Sequence, residues 1–444
     1  MNDTIFAPSS AIGGAIAVIR ISGDHAVRAM ALFDRDLTNV PQRLVYVRAL
    51  DCGEVVDDCM AVWFPAPKTY TGEDMLEINC HGGMQTVRKI LEMLGGIGFR
   101  PAQGGEFTKR AFLNGKMDLT QAEAVMDIIT ADAEQSRKAA MLQLHGSVSR
   151  EVEAVEQLLL DALSGIDAAI DYPDEAEEDA YAAVPETLRN AIERMEKLIA
   201  DGRRGRVLRD GLRVAILGRP NVGKSSLMNT LLGHDRAIVT ANAGTTRDVL
   251  DEKVSFDGVP IRLIDTAGLR ETEDEAERIG VDRAREAMRT ADVRCVVFDG
   301  STALTDDDAA LLQETSGEVH RIILINKCDL PTPWTVETLT AERVEQGQIC
   351  RVSAKTGAGL DTLKQRILEM AAPEQQDCTC ITNERHMHLL EQALQALCSA
   401  TESGELDCLA TDIQNALHYL GAITGTDVDA AVIERIFERF CVGK

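Results

Sequence analysis

The sequence predicts a multidomain chain: an α+β N-terminal domain, an all-α helical bundle, and an α/β domain with a phosphate loop inserted into the helical part. Three observations predict it. Gly218-Arg219-Pro220-Asn221-Val222-Gly223-Lys224-Ser225 lies between the apolar run 214–217 and the helical stretch 226–232, the strand–loop–helix setting that a phosphate loop requires. Stretches with apolar residues at i, i+3, i+4 and i+7 flank that domain on both sides. Short strand-like runs fill the first 116 residues. A chain of 444 residues has room for two or three such domains.

Taken in order, residues 16–21 read as a strand, 25–32 as a helix, and 45–50, 61–64 and 75–79 as further strands. From 120 to 170 the pattern is long and helical, with Val125, Met126, Ile129, Val148, Val152, Val155, Leu158, Leu159, Ala162, Leu163 and Ile166 on the repeat. Tyr172-Pro173-Asp174-Glu175 breaks it, and another helix spans about 185–202. Arg203-Arg204-Gly205-Arg206, with Arg209 and Arg213, then reads as an interdomain linker or as a contact for RNA. Beyond the α/β domain, 373–377 is a linker before two helical stripes, one through Leu389, Leu390, Ala393, Leu394 and Leu397, the other through Leu409, Ile413, Ala416, Leu417 and Leu420. Thr426-Asp427-Val428-Asp429 looks like a capping box opening a last helix through Ile433, Ile436, Phe437 and Phe440. The domain boundaries are 1–116, 117–210, 211–372 and 373–444, the second and fourth segments forming one bundle around the third.

Charge narrows the partners. The net charge is −26, and segments 117–210 and 373–444 carry −19 of it, so they cannot present a broad phosphate-binding surface. A nucleic acid substrate must use a local patch or be held by a partner. The 11 cysteines are scattered without a CxxC pair, which suits a reduced cytoplasm and argues against a zinc site. No signal peptide is evident, and no run approaches membrane-spanning length.

Four elements in sequence order specify the nucleotide. In the phosphate loop Asn221, Val222, Gly223, Lys224, Ser225 and Ser226 wrap phosphates with backbone N–H groups, Lys224 reaches the terminal phosphates, and Ser225 ligates Mg²⁺. Asp265-Thr266-Ala267-Gly268 is a DxxG element after the run 261–264. Asn326-Lys327-Cys328-Asp329 ends a second buried run, and its Asp carboxylate accepts two hydrogen bonds from the guanine edge, which adenine cannot supply. Ser353-Ala354-Lys355 offers a backbone amide to the guanine carbonyl. The order and spacing resemble the GTPase family, which implies a Ras-like fold for the inserted domain. Thr246, within Thr240-Ala241-Asn242-Ala243-Gly244-Thr245-Thr246, lies where switch I completes the Mg²⁺ shell. The position after DxxG is Leu269, which cannot orient water as the Ras glutamine does. Glu277 is the candidate replacement, against the plainer reading of an acidic helix start. Asn221 suits a monovalent cation near the phosphates, or a purely structural role.

The whole chain resembles the MnmE (TrmE) family of tRNA modification GTPases. The stretches that carry the resemblance are Asp3-Thr4-Ile5, Val18-Ile19-Arg20-Ile21-Ser22-Gly23, Tyr70-Thr71-Gly72-Glu73-Asp74, His81-Gly82-Gly83, Gly105-Glu106-Phe107-Thr108-Lys109-Arg110-Ala111-Phe112-Leu113-Asn114-Gly115-Lys116, Asp118-Leu119-Thr120-Gln121-Ala122-Glu123-Ala124 and the terminal Phe440-Cys441-Val442-Gly443-Lys444. The resemblance implies a K⁺-dependent homodimer whose N-terminal domain binds 5,10-methylene- or 5-formyl-tetrahydrofolate. It implies a heterotetramer with the FAD-containing MnmG (GidA), which modifies C5 of the wobble uridine of certain tRNAs. Position by position, Asn221, Thr240, Asn242 and Thr245 surround K⁺, Ser225 and Thr246 hold Mg²⁺, and Glu277 positions water. Arg20, Glu77, Lys116 and Lys444 match folate-contacting positions; a carboxylate can read the donor-rich pterin edge, and cations suit a glutamate tail.

Departures and alternatives remain in view. Ala7-Pro8-Ser9-Ser10-Ala11-Ile12-Gly13-Gly14 differs from the family's N-terminal pattern, and Val442 replaces an Ile. Cys441 reads as a nucleophile near the folate or, preferably, as a small buried thiol closing the last helix. The rival reading is a regulatory GTPase such as a ribosome-assembly factor, against which the acidic flanks argue.

Overall fold

A computed structural model describes residues 3–171, 183–234, 251–265, 289–316, 320–333, 349–371, 381–402 and 406–444. The chain divides into two compact units, one of Met1–Met126, Leu144–Pro173 and Ser399–Lys444, the other of Asp127–Gln143 and Asp174–Cys398. The helical stretches are thereby shared between the two units.

The first unit carries β1 (Ile5–Pro8), β2 (Ile16–Ser22), β3 (Val45–Asp51), β4 (Glu54–Phe64), β5 (Met75–His81), α1 (Met84–Gly96), β6 (Arg100–Pro101) and α2 (Glu106–Leu113). Its sheet has the order β3-β4-β5-β2-β1-β6, antiparallel except for the parallel pair β1–β6. In β2 the fully buried Ala17, Ile19 and Ile21 face a core shared with Ile78, Val87, Ile90 and Leu94. The two-residue period turns Arg20 to the other face, where the register sets it opposite Glu77. The expected helix at 25–32 is a 3-10 helix over Ala26–Leu32, and the strand expected at 61–64 begins at Glu54.

The predicted helical stretch 120–170 is three helices: α3 (Leu119–Thr130), α4 (Glu134–Leu144) and α5 (Ser147–Asp171). In α5, Val148, Val152, Val155, Leu159 and Ile166 are all fully buried, the 3.6-residue stripe that the sequence displays. In the first unit α5 packs against α11 (Leu406–Thr424). The expected capping box at Thr426 is absent. The last helix, α12, runs Ala430–Phe437 with Asp429 at its N-cap and no side-chain cap bond. Thr426 Oγ1 instead donates to the Gly421 carbonyl at 3.3 Å, and Asp427 Oδ2 lies 2.5 Å from His418 Nδ1. These local bonds outcompete the cap.

In the second unit, α6 (Val184–Asp210) leads into β7 (Leu212–Leu217) and α7 (Lys224–His234), followed by β8 (Asp251–Phe256), β9 (Val259–Asp265), β10 (Val293–Asp299), α8 (Asp306–Glu314), β11 (His320–Asn326), β12 (Ile349–Arg351), α9 (Leu360–Ala371) and α10 (Glu384–Glu402). The sheet order is β12-β11-β10-β7-β9-β8, parallel but for β8. Strands buried on both faces read as unbroken apolar runs, as Val296, Val297 and Phe298 do at zero exposure. The arginine-rich segment continues α6 rather than forming a linker. Arg206 pairs with Asp292 at 3.2 Å and Arg209 with Asp127 at 2.9 Å, so both guanidiniums bind protein carboxylates. The expected breaks at 172–175 and 373–377 lie outside the described residues.

A charged network sits at the base of the first unit's sheet. Arg110, 1% exposed, donates to Asp3 Oδ1 at 2.7 Å, Glu106 Oε1 at 3.1 Å and both Glu73 oxygens at 3.2 Å. Arg100 meets Asp3 Oδ2 at 2.7 Å and Glu106 Oε1 at 2.6 Å. Burial alone would raise the Glu106 carboxyl, yet bonds from Arg100, the Gln103 amide and Arg110 hold it below its ordinary value. Asp3 is lowered in the same way, against desolvation, by Arg100 and Arg110. Arg110→Leu leaves three carboxylates short of a partner, and the first unit should lose about 3–5 kcal/mol by denaturant titration at pH 7. Because these carboxyl values are depressed, the network stabilises above the ordinary values of 3.8 and 4.5. That stability is lost as pH falls through the lowered folded-state values, so the variant and wild type should converge in acid.

Candidate functional site

The second unit brings three sequence-predicted segments to the carboxyl ends of its parallel strands, where an α/β sheet binds ligands. The loop 218–223 joins β7 to α7, residues 326–329 leave β11, and residues 353–355 follow β12. Gly218 and Gly223 have φ of +154° and +97°. A side-chain carbon at Gly223 would lie 2.3 Å from Asn326 Nδ2, and one at Gly218 would lie 2.5 Å from the Val297 carbonyl. Glycine is therefore needed at both for the loop to close on its neighbours.

Asn326, 1% exposed, joins the segments. Its Nδ2 donates to the Val222 carbonyl at 2.8 Å, and its Oδ1 accepts the Ala354 N–H at 3.0 Å. Of the segment 353–355, from which a backbone amide is expected to meet the base, the Ala354 N–H is thus engaged by Asn326. Thr230 Oγ1 donates to the Ala354 carbonyl at 2.9 Å, anchoring the same segment to α7. Ser353 Oγ donates to Asp329 Oδ1 at 2.7 Å, and this bond foremost holds the Asp329 carboxyl below its ordinary value. An ionised, oriented carboxylate is what two N–H donors of a purine edge require. Lys224 Nζ donates to the Gly218 and Arg219 carbonyls at 2.6 and 2.8 Å. Ser225 and Ser226 are exposed in the first turn of α7.

Two carboxylates in this site escape the sequence reading. Asp308, 3% exposed as a side chain, pairs with Arg219 of the loop at 2.7 Å. Asp299 Oδ2 accepts from Lys327 Nζ at 2.6 Å, and Lys327 Nζ also reaches the Asn221 carbonyl at 3.3 Å. The available signal for Asp299 was its position at the end of the largely apolar run 293–298; the sheet register then sets it beside Asn326. Asp265 closes β9, and Thr240, Ala241, Asn242, Ala243, Gly244, Thr245, Thr246, Thr266, Ala267, Gly268, Leu269 and Glu277 lie outside the described residues.

The first unit assembles the other predicted group in part. Arg20 donates to Glu77 Oε1 through Nε at 2.9 Å and lies 2.8 Å from it through a terminal nitrogen. The guanidinium carbon sits 5.3 Å from the Tyr70 ring centre and 5.7 Å from that of Phe107. Tyr70 is fixed by Thr108, hydroxyl to hydroxyl at 2.9 Å, and burial raises its phenol. Lys444 is tied to the same helix, because its carbonyl accepts the Phe107 N–H at 3.2 Å. Lys116 Nζ instead donates to the Pro67 carbonyl at 3.0 Å. Cys441 is exposed, correcting the expectation of a buried thiol: its carbonyl accepts the Gly105 N–H at 3.2 Å, and the side chain is left outside.

The family model described as GTP-binding protein TrmE N-terminus matches residues 4–116, and that of the MnmE helical domain matches 119–441. The tRNA modification GTPase MnmE of Bacillus cereus is 41% identical, with all of this chain and 99% of that protein aligned. The chain belongs to the MnmE family. The MnmE of Streptococcus pneumoniae serotype 4 is 44% identical over 100% of this chain and 99% of its own length. Among solved structures, the G domain of the T. maritima FeoB iron transporter is 28% identical, covering 36% of this chain and 99% of its own with a TM-score of 0.28. Membership in MnmE, a family of GTPases, agrees with the phosphate-loop geometry of the second unit. Among the described residues no helix is long and apolar enough to cross a membrane.

Gly223→Ala tests the loop. The added carbon meets Asn326 at 2.3 Å in a left-handed backbone, and guanine nucleotide affinity should fall roughly 10- to 100-fold by fluorescence titration with mant-GDP, with far-UV circular dichroism unchanged.

Proposed function

We propose that the chain is a K⁺-dependent GTPase that works with the FAD-containing flavoprotein MnmG (GidA). Together they modify C5 of the wobble uridine of certain tRNAs to carboxymethylaminomethyl- or aminomethyluridine, with 5,10-methylene- or 5-formyl-tetrahydrofolate as one-carbon donor. The single observation that carries the nucleotide half is the Asn326 carboxamide bridging the phosphate loop to the 353–355 segment beside an oriented Asp329. Family membership supports the remainder. The working form is a cytoplasmic homodimer within a heterotetramer with MnmG, which holds most of the tRNA because the helical segments are acidic.

In this reading the N–H groups of 221–226 enclose the phosphates and Lys224 turns from the loop carbonyls to the terminal phosphates. Asp329 takes the guanine N1–H and amino donors, and residues 353–355 close over the base. Residues 240–246 and 265–268 complete the nucleotide site. Ser225 and Thr246 hold Mg²⁺, which when bound offsets phosphate charge. Asn221, Thr240, Asn242 and Thr245 hold K⁺, which supplies the charge an arginine finger would bring. Glu277 orients the attacking water. Nucleotide-driven closing and opening of paired GTPase domains gates the modification site rather than powering the bond being made. In the first unit, Glu77 reads the pterin edge, Arg20 pairs with its carboxylate and orients it, and Lys116 and Lys444 receive the glutamate tail.

The decisive assay compares GTP hydrolysis at saturating GTP and Mg²⁺ in KCl and NaCl of equal ionic strength. A stimulation of about tenfold or more by K⁺ is expected, corresponding to one added charge in the transition state; equal slow rates would remove the cation mechanism. Glu277→Ala should keep mant-GTP affinity while K⁺-stimulated turnover falls on the order of 100-fold, the usual share of one positioned base. Unchanged turnover would exclude Glu277. For the folate half, Glu77→Gln should weaken 5-formyl-tetrahydrofolate binding roughly 10- to 100-fold by calorimetry, and wild-type affinity would sink that assignment.

A further inference from the structure

We propose that Asp299 is a positioning residue of the nucleotide site, acting through Lys327 on the Asn221 carbonyl and so setting how long guanine nucleotide stays bound. The inference rests on the reading of this site as a guanine-nucleotide pocket. Asp299 ends β10, and the strand register sets it beside Asn326 of β11. Its side chain is 10% exposed, against 34% for Lys327. The two carboxylate oxygens have separate tasks. Oδ1 accepts the Ser301 N–H at 2.9 Å and the Ser301 hydroxyl at 2.6 Å, which fixes the plane of the group. Oδ2 receives Lys327 Nζ at 2.6 Å.

That ammonium then reaches over the phosphate loop to the Asn221 carbonyl at 3.3 Å. Both ends of the link have left-handed backbones, with φ of +62° at Lys327 and +66° at Asn221. Neither residue is glycine, so both conformations are disfavoured, that of Lys327 more than that of Asn221, and the surroundings must hold them. A lysine ammonium on a four-carbon stem has several rotamers open to it, and a single long bond to a carbonyl does not select one. The short pair with Asp299 does. Removing that charge frees Lys327, and the loop peptide at Asn221 loses its tie to β11 while Asn326 still holds Val222.

The test is stopped-flow release of mant-GDP from full-length wild type, Asp299→Asn, Lys327→Met and the double variant, with thermal melting of each nucleotide-free protein. Asp299→Asn should release mant-GDP about tenfold faster while kcat at saturating GTP and K⁺ stays within about twofold. The double variant should release no faster than Lys327→Met alone, because Asp299 acts only through that lysine. A wild-type release rate in Asp299→Asn overturns the proposal. So does an additive double variant, which would mark Asp299 as a general stabiliser of the strand end. Failure of the wild type to bind mant-GDP in preference to mant-ADP would instead overturn the pocket reading itself, and the proposal with it.

Discussion

Asn326 is almost wholly inaccessible to solvent, and each end of its carboxamide is committed, one to the Val222 carbonyl and one to the Ala354 N–H. The loop before α7 and the turn after β12 have no direct backbone ladder between them, since their parent strands are separated in the sheet by β10 and β11. This one side chain supplies the connection. It also explains why Gly223 has no side chain: the space a Cβ would fill is the space the amide nitrogen occupies. The phosphate loop and the turn after β12 are therefore fixed relative to each other by the fold itself, and a ligand that touched both would find its contacts already ordered.

The first unit applies similar logic with charge. Asp3, Glu73, Glu106, Arg100 and Arg110 come from the start of the chain, the loop before β5, and both ends of the β6–α2 connection. Of these, Arg110, Glu106 and Glu73 are at most 12% exposed as side chains, where a charge left unpaired is costly. Their mutual pairing sets the start of α2, and α2 in turn presents Phe107 beneath Arg20 and Thr108 against Tyr70. The pair Arg20–Glu77 is thus held on an apolar, aromatic floor, where ion pairing and ring contact both restrict the guanidinium.

The parts of this architecture that were legible in the sequence are those governed by period or by a phosphate loop's strict backbone needs. The apolar run at 322–325 and the stripe through Val148, Val152 and Val155 became a buried strand and a buried helix face because burial follows pattern directly. The loop at 218–225 was legible because its glycines and lysine serve a local geometry. What stayed hidden depends on partners far along the chain. Arg110 looked like any basic helix residue, and only folding shows it inside a ring of carboxylates. Thr426 to Asp429 had the composition of a cap, but Gly421 and His418 took those side chains. Asp299 is marked in the sequence only by closing the run 293–298, and its meaning comes from Lys327, just past the end of the neighbouring strand. The cluster around Arg206 and Arg209 was ambiguous for the same reason: the aspartates that pair with both residues are remote in sequence.

The docking of the last residues has a consequence for biosynthesis. Gly105 and Phe107 donate their N–H groups to the carbonyls of Cys441 and Lys444, and Gly104 bridges to Val442. A side chain at Gly443 would strike the Pro8 carbonyl at 2.1 Å. On the ribosome, therefore, the start of α2 waits with unmet donors while more than three hundred residues are made. The phosphate-loop sheet, whose strands all lie within that interval, can close first. The first unit matures last although its strands emerge earliest, because the N–H groups that open α2 find their acceptors only when the tail is made.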